Sequence, residues 1–319
     1  MPRPTLQVRI FATLVLCAAA AGVRADAPPP PPVPPGAIVS GPTLGLKSDD
    51  TLRFTVSAMV NGQGPYRFLI DTGADRSGIS SRVAAALKLP AGDPLKVVSM
   101  SGVNIVPSVN IDTLEILPDV AIHGLNAPVF AAEDLGADGV LGVDSLQGQQ
   151  VVIDFARHTM TVRTAKKHER ALPEDVGAII VVARSKFGQL ILVDASLADT
   201  PLRVVLDTGG EYAVGNSRLR ALASREGRAS EFQSVQLLSV VGRSITADYT
   251  QIGKIKLGGF NILHTPIAFA DVRPFERFGL TRQPSILLGM DVLRLFRRVT
   301  IDFANRRVSF VPPPDMARE

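Results

Sequence analysis

A single cysteine, Cys17, is all the thiol chemistry in 319 residues. One thiol excludes a disulfide framework and a cysteine-based zinc site within the chain. The four histidines, His123, His158, His168 and His264, show no metal-ligand spacing, so no metal ion is expected. No P-loop and no Gly-x-Ser-x-Gly nucleophile motif is present. Gly62-Gln63-Gly64 lacks the third glycine and the helix of a dinucleotide loop and reads as a hairpin turn, so no cofactor is expected either. Long apolar runs are absent beyond the first 25 residues, which excludes an integral membrane helix downstream of them.

What is present at the N-terminus reads as an export leader. Arg3 and Arg9 flank the start, Ile10–Ala21 is apolar but too short to span a bilayer, and Val23-Arg24-Ala25 suits a cleavage site. An uncleaved anchor is the alternative; a lipid anchor on Cys17 is disfavoured by the bulky Leu16 before it. Cleavage after residue 25 removes Arg3, Arg9 and Arg24 and no acid, so the formal charge falls from +4 to +1. The basic balance that could suggest nucleic acid therefore vanishes, and no basic-aromatic RNA motif replaces it. Cys17 leaves as well, and a thiol-free chain suits an oxidising exported compartment, most simply a periplasm, with secretion or N-terminal anchoring as variants. Residues 26–50 follow as a proline-rich spacer, extended because proline fixes φ and removes donors.

An apolar fraction of 46 % is enough for a substantial core. From near Leu52 the chain shows short β-branched runs broken by Gly, Asn, Asp and Pro, and helical pattern only at about 81–87, 217–224 and near Val292. A mostly β protein with short helices is expected. An internal repeat organises it. Asp71-Thr72-Gly73 and Asp207-Thr208-Gly209 lie 136 positions apart, each after three apolar residues, and Pro65, Arg67, Ser81 and Arg82 recur at the same offset. Downstream, Val140-Leu141-Gly142 matches Leu287-Leu288-Gly289, Asp144 matches Asp291, and Ile153-Asp154-Phe155-Ala156 matches Ile301-Asp302-Phe303-Ala304. One Asp-Thr-Gly is expected by chance about 0.1 times in such a chain; two in matched contexts mark a duplication. The second copy is longer, mostly within 271–284. Its Arg273–Phe278 segment reads as a solvated loop covering one lobe.

These motifs resemble the retropepsin-like aspartic peptidases, in particular exported bacterial members with two tandem units in one chain. The resemblance covers about Leu52 to Val311. It implies two acid-protease β-barrel lobes related by a pseudo-twofold axis: residues 51–163 as the first, 164–175 as a charged linker, 176–312 as the second and 313–319 as a tail. It implies that Asp71 and Asp207 form an acid-base dyad sharing one proton, that Thr72 and Thr208 reach across to lock the two halves, and that Gly73 and Gly209 let backbone approach the carboxylates. Leu141-Gly142 and Leu288-Gly289 are the structural motif beside each active loop. The flap tips are Ser101-Gly102-Val103 and Val241-Gly242-Arg243, supported by Ser99 and Ser239 at the same offset of 140 as the two glycines. Asp144, Asp291, Asp154 and Asp302 are turn or cap residues.

The position after each triplet holds Ala74 or Gly210, with no hydroxyl to favour ionisation of an aspartate, so a dyad working at mildly acidic to neutral pH is expected. The implied activity is hydrolysis of peptide bonds in a protein or peptide substrate by a monomer that is its own pseudo-dimer. The alternative is a non-catalytic peptide-binding module that retains the duplicated fold.

Overall fold

Each Asp-Thr-Gly triplet sits at the end of an apolar strand, and the protein is built outward from those two strands. The computed structural model describes residues 7–9, 43–45, 47–48, 53–117, 120–165, 178–186, 188–192, 194–227 and 231–313. The expected leader and proline-rich spacer lie largely outside these residues, as do most of the linker and the tail. The exceptions are short strands: Gln7–Arg9 runs parallel to Gln233–Leu238, Thr43–Gly45 pairs with Thr159–Thr161, and Lys47–Ser48 pairs with Phe54-Thr55.

In the first lobe Phe54–Val60 and Gln63–Ile70 form a hairpin. Its turn is Asn61-Gly62, both with positive φ, the geometry that Asn-Gly supplies at little cost. Ala91–Ser99, Gly102–Leu117 and Val120–Phe130 follow as an antiparallel meander. The chain then returns: Gly139–Leu141 inserts between Gln63–Ile70, to which it is parallel, and Gly78–Ser80, to which it is antiparallel. The second lobe repeats the insertion, with Ser285–Leu288 between Arg203–Leu206 and Val214–Gly215. Among the described residues, six short helices, α1 (Ser81–Ala86), α2 (Ala132–Leu135), α3 (Val143–Leu146), α4 (Ser217–Arg225), α5 (Arg273–Phe278) and α6 (Met290–Leu293), close the lobes. Ser80 and Asn216 cap α1 and α4 by accepting from Val83 N and Leu219 N.

A sheet shared by both units joins them. Gln149–Asp154 pairs antiparallel with Arg298–Asp302, with Val152 opposite Thr300 at the centre and Asp154–Arg298 and Gln150–Asp302 as its two ends. That register is symmetric under exchange of the units, which places the pseudo-twofold axis between Val152 and Thr300. One buried cluster runs through both halves, containing Phe68, Ile70, Leu141 and Ile153 from the first and Leu206, Leu288, Ile301 and Phe310 from the second.

Asp154 Oδ2 accepts from both Nε and Nη2 of Arg298, at 3.2 and 3.0 Å, and both side chains are about 10 % exposed. Removing one partner of such a pair strands the other. Arg298→Gln is therefore expected to lower stability by about 3 kcal/mol, measured by urea unfolding; Arg157, 3.9 Å from the same carboxylate and exposed, is too weakly placed to compensate.

Two expectations need correction. The ordered sheet begins earlier than Leu52: Thr43–Gly45 lies against Thr159–Thr161 as Ile179–Val182 lies against Arg307–Phe310. A three-residue strand is too short to announce itself by periodicity. And 273–278 is no solvated loop. It is helix α5, with Pro274 in the first turn, Gly279 left-handed at the C-cap, and Pro274, Phe275 and Phe278 buried. The i, i+3 aromatic pair turns one face of a single helical turn into the core.

Candidate active site

The returning strands fix the two aspartates by their backbone. Asp71 N donates to Leu141 O at 3.0 Å and Asp207 N to Leu288 O at 3.1 Å, so each apolar-apolar-Gly motif holds its own aspartate. The loop carbonyls beyond are taken by the first amides of the following helices: Val143 N donates to Ala74 O and Met290 N to Gly210 O, both at 2.8 Å. Gly142 and Gly289 are needed for this approach. A Cβ on Gly142 would lie 2.4 Å from Arg76 C, and one on Gly289 2.5 Å from Tyr212 C, both backbone atoms.

The threonines cross. Thr72 Oγ1 donates to Leu206 O (3.0 Å) and accepts from Thr208 N (3.2 Å); Thr208 Oγ1 donates to Ile70 O (2.8 Å) and accepts from Thr72 N (3.0 Å). Four bonds between buried groups thus tie one Asp-Thr-Gly loop to the other.

This brings Asp71 and Asp207 together, nearly completely buried, with one oxygen of each carboxyl beside Gly73: a Cβ there would lie 2.7 Å from Asp207 Oδ1 and 3.1 Å from Asp71 Oδ1. Asp71 Oδ1 also accepts from Gly73 N (2.8 Å) and Ala74 N (3.0 Å), and Asp207 Oδ1 from Gly210 N (3.0 Å). The two loop glycines face the opposite carboxylates: a Cβ on Gly73 would stand 2.7 Å from Asp207 Oδ1, and one on Gly209 2.2 Å from Asp71 Cγ. Burial pushes Asp71 up to about 6, against the pull of the Gly73 and Ala74 amides, its partner and the buried Arg53 guanidinium. Burial also pushes Asp207 well above the usual carboxylate range, and the neighbouring Asp71 charge adds to the shift. Two carboxyls this close hold one proton between them over a wide pH span.

The hairpins expected as flaps are hairpins. Val98 pairs with Val103 and Ser99 with Gly102 in the first; Ser239 N donates to Arg243 O and Gly242 N to Ser239 O in the second. Ser101, Gly102, Val103, Val241, Gly242 and Arg243 are all at least partly exposed at their tips. The buried tip residues are Met100 and Val240, just before them. Each joins the core of the opposite lobe: Met100 packs into the cluster of Phe275, Phe278 and Val205, and Val240 into that of Leu69, Ala74 and Leu135. Met100 and Val240 share the 140-residue offset of the serines and glycines around them, a signal the sequence carries.

The remaining acids serve structure. Asp144 Oδ1 accepts from Ser77 N, Ser77 Oγ and Ser145 N at 2.8–2.9 Å; Asp291 accepts from Ala213 N and Val292 N. Burial raises both, Asp291 to about 7. Asp154 and Asp302 accept from Arg157 N and Asn305 N in the turns they open. Asp75 accepts from Gln189 and Arg277, both of the opposite lobe, and burial pushes it up to about 6. Arg53, Asp75, Gln189 and Arg277 are site neighbours that the motifs do not reveal. Among the described residues no group of three or more His, Cys, Asp or Glu is placed to hold a metal ion, and no helix is long and apolar enough to cross a membrane.

A family model described as aspartyl protease matches residues 56–145 and again residues 193–292, together more than half of the chain. No curated protein matches the sequence. Among solved structures, the aspartic proteinase from Irpex lacteus is similar with a TM-score of 0.52 at 10 % identity, over 87 % of this chain and 99 % of that one. At that identity the likeness is one of fold: a mostly β, two-lobed, pepsin-like architecture.

Proposed function

The chain belongs to the aspartyl protease family, and on that premise we propose that it is an endopeptidase in which Asp71 and Asp207 activate water. The observation that carries this reading is the pair of buried, adjacent carboxyls, each at the end of a strand, on two loops locked together by crossed threonines. In the singly protonated pair, the ionised carboxylate takes a proton from a water held between the two as its oxygen attacks the scissile carbonyl carbon. The protonated carboxyl gives its proton to the carbonyl oxygen. A neutral diol results, and no bond to the enzyme forms. Proton return to the peptide nitrogen then lets the C–N bond break, giving an acid and an amine. The substrate is an extended peptide held by backbone hydrogen bonds beneath the hairpins. A monomer supplies both aspartates. Export to the cell envelope or beyond is supported by the N-terminal leader pattern and by the confinement of the sole cysteine to it.

The deciding experiment is incubation of residues 26–319 with a random peptide library, reading new N-termini. Its pH dependence is specific. The reactive form has lost one of the two protons, and Asp71 titrates at about 6 while Asp207 keeps its proton well beyond the usual range. The rate constant kcat/KM is therefore expected to rise through about pH 6 and to hold to neutral pH; activity confined to strongly acid solution would overturn this. Gly210→Ser, which adds a hydroxyl beside Asp207, is expected to favour its ionised form and bring the alkaline fall to lower pH.

A further inference from the structure

We propose that Arg277 is a positioning residue for the first Asp-Thr-Gly loop, which it holds from the opposite lobe through Asp75. The inference rests on the peptidase reading for its kinetic consequence and on geometry for the rest. Four positions after Asp71, the Asp75 carboxylate receives Arg277 Nη2 at 2.7 Å on Oδ2 and Gln189 Nε2 on Oδ1. Gln189 Nε2 also donates to Gly73 O at 3.2 Å, and Gly73 N in turn donates to Asp71 Oδ1. A short chain of bonds therefore runs from the second lobe to the reacting carboxyl.

The two units differ at this point. The offset of 136 that relates the aspartates puts Gln189 at the position of Arg53 and Glu211 at that of Asp75. Where the first unit carries a guanidinium, the second carries a neutral amide. An amide can orient a buried carboxylate but cannot neutralise it, and a buried charge without a counter-charge is costly. Arg277 restores the missing cation. It comes from the insertion at 271–284 that only the second unit possesses.

The insertion is built to hold that cation still. Phe275 and Phe278 are buried on either side of Arg277 in sequence, and Lys186 Nζ donates to Phe278 O at 2.6 Å, where a cation suits the end of a helix. The Arg277 side chain is 12 % exposed and its partner 10 %, unlike Arg273 and Glu276 on the outer face of the same turn, which are half exposed. The same helix receives the first hairpin, with Met100 beside Phe275 and Phe278 and Arg273 N facing Met100 O at 3.5 Å. Arg277 acts on the loop behind Asp71, so its loss should alter the placement of the carboxyl and leave the binding of peptide nearly unchanged. Misplacement of a reacting group by a fraction of an ångström is felt in kcat.

The test is steady-state cleavage of one good library substrate by wild type, Arg277→Gln, Arg277→Lys and Asp75→Asn, with amide hydrogen exchange over residues 73–77 in each. Arg277→Gln is expected to lower kcat about tenfold while KM stays within about twofold, and to speed exchange in the loop. Arg277→Lys keeps a charge on a flexible stem and is expected to recover most of both. Combining Arg277→Gln with Asp75→Asn is expected to cost no more than the worse single change. Unchanged kcat in Arg277→Gln, or a rise in KM that Arg277→Lys does not reverse, would overturn the proposal. If wild type cleaves nothing, the peptidase reading falls, and loop exchange alone decides: unchanged exchange in Arg277→Gln rejects the latch, and faster exchange restored by Arg277→Lys sustains it.

Discussion

Asp71→Asn and Asp207→Asn should each give a folded protein whose peptide cleavage is lower by about 10²- to 10⁴-fold, since either change removes an acid-base group worth roughly that factor. The amide can neither take the proton of water nor give one to the carbonyl oxygen. Folding is expected to survive, because an amide fills the same space and its oxygen can still accept from Gly73 N and Ala74 N. Stability should in fact move the other way. Burial raises both carboxyls, so the folded protein binds their protons more tightly than the unfolded chain does. That contribution is fully present below the unfolded value near 4 and is lost as pH rises through about 6. Asp71→Asn escapes the loss, so its midpoint of thermal unfolding should equal or exceed that of wild type above pH 6. Library digestion beside thermal melts at pH 5 and 7.5 checks both halves of the claim. Equal product from wild type and both variants would end the dyad reading, and tight peptide binding without cleavage by wild type would favour a binding module.

The second large effect is steric. Gly209→Ala places a methyl group 2.2 Å from Asp71 Cγ and 2.3 Å from its Oδ2. Nothing flexible stands in the way that could yield, because the opposing carboxyl is held by the Gly73 and Ala74 amides and the threonine lock. The loops must part, and the four crossing bonds lengthen together. A loss of about 3 kcal/mol and of at least about 100-fold in kcat/KM is expected. Gly210→Ala, one residue on, is the control. Its Cβ would sit 3.2 Å from Asp207 Oδ2 and 3.3 Å from Cγ, and the first unit already has Ala74 at this position. It should change stability by less than about 0.5 kcal/mol. Urea unfolding and initial rates on the two variants side by side separate the effects.

The duplication is why so much of the site is legible in sequence. Each motif appears twice, so chance matches cancel, and the strands before Asp71 and Asp207 announce themselves by three apolar residues each. The crossed threonines and the approach of the glycines to the carboxylates come from the family resemblance that the two triplets carry. What escapes is whatever breaks the repeat. Arg277 has no counterpart in the first unit, and α5 is a helix too short for a 3.6-residue period to show. Arg53 and Gln189 are matched by position and not by residue type, so their different partners, Leu135 O for Arg53 and Asp75 for Gln189, are not announced by the repeat. Met100 and Val240 are apolar residues at hairpin tips, where exposure is the ordinary expectation. Their burial depends on the opposite lobe, a contact that no local pattern encodes.

The symmetric pairing of Gln149–Asp154 with Arg298–Asp302 also governs the order in which the chain can mature. The first half of the polypeptide completes its own pairing with the strand Thr159–Thr164, but the other edge of Gln149–Asp154 must wait for a partner almost 150 residues downstream. Contacts of such separation pay their loop-closure entropy before any pairing rewards it, which makes folding slow. During synthesis the growing chain thus carries an unpaired, apolar strand edge, the kind that recruits other chains. Its native partner has the advantage of being tethered, and the two ends of the register, Asp154 with Arg298 and Gln150 with Asp302, reject a strand that arrives one residue out of step.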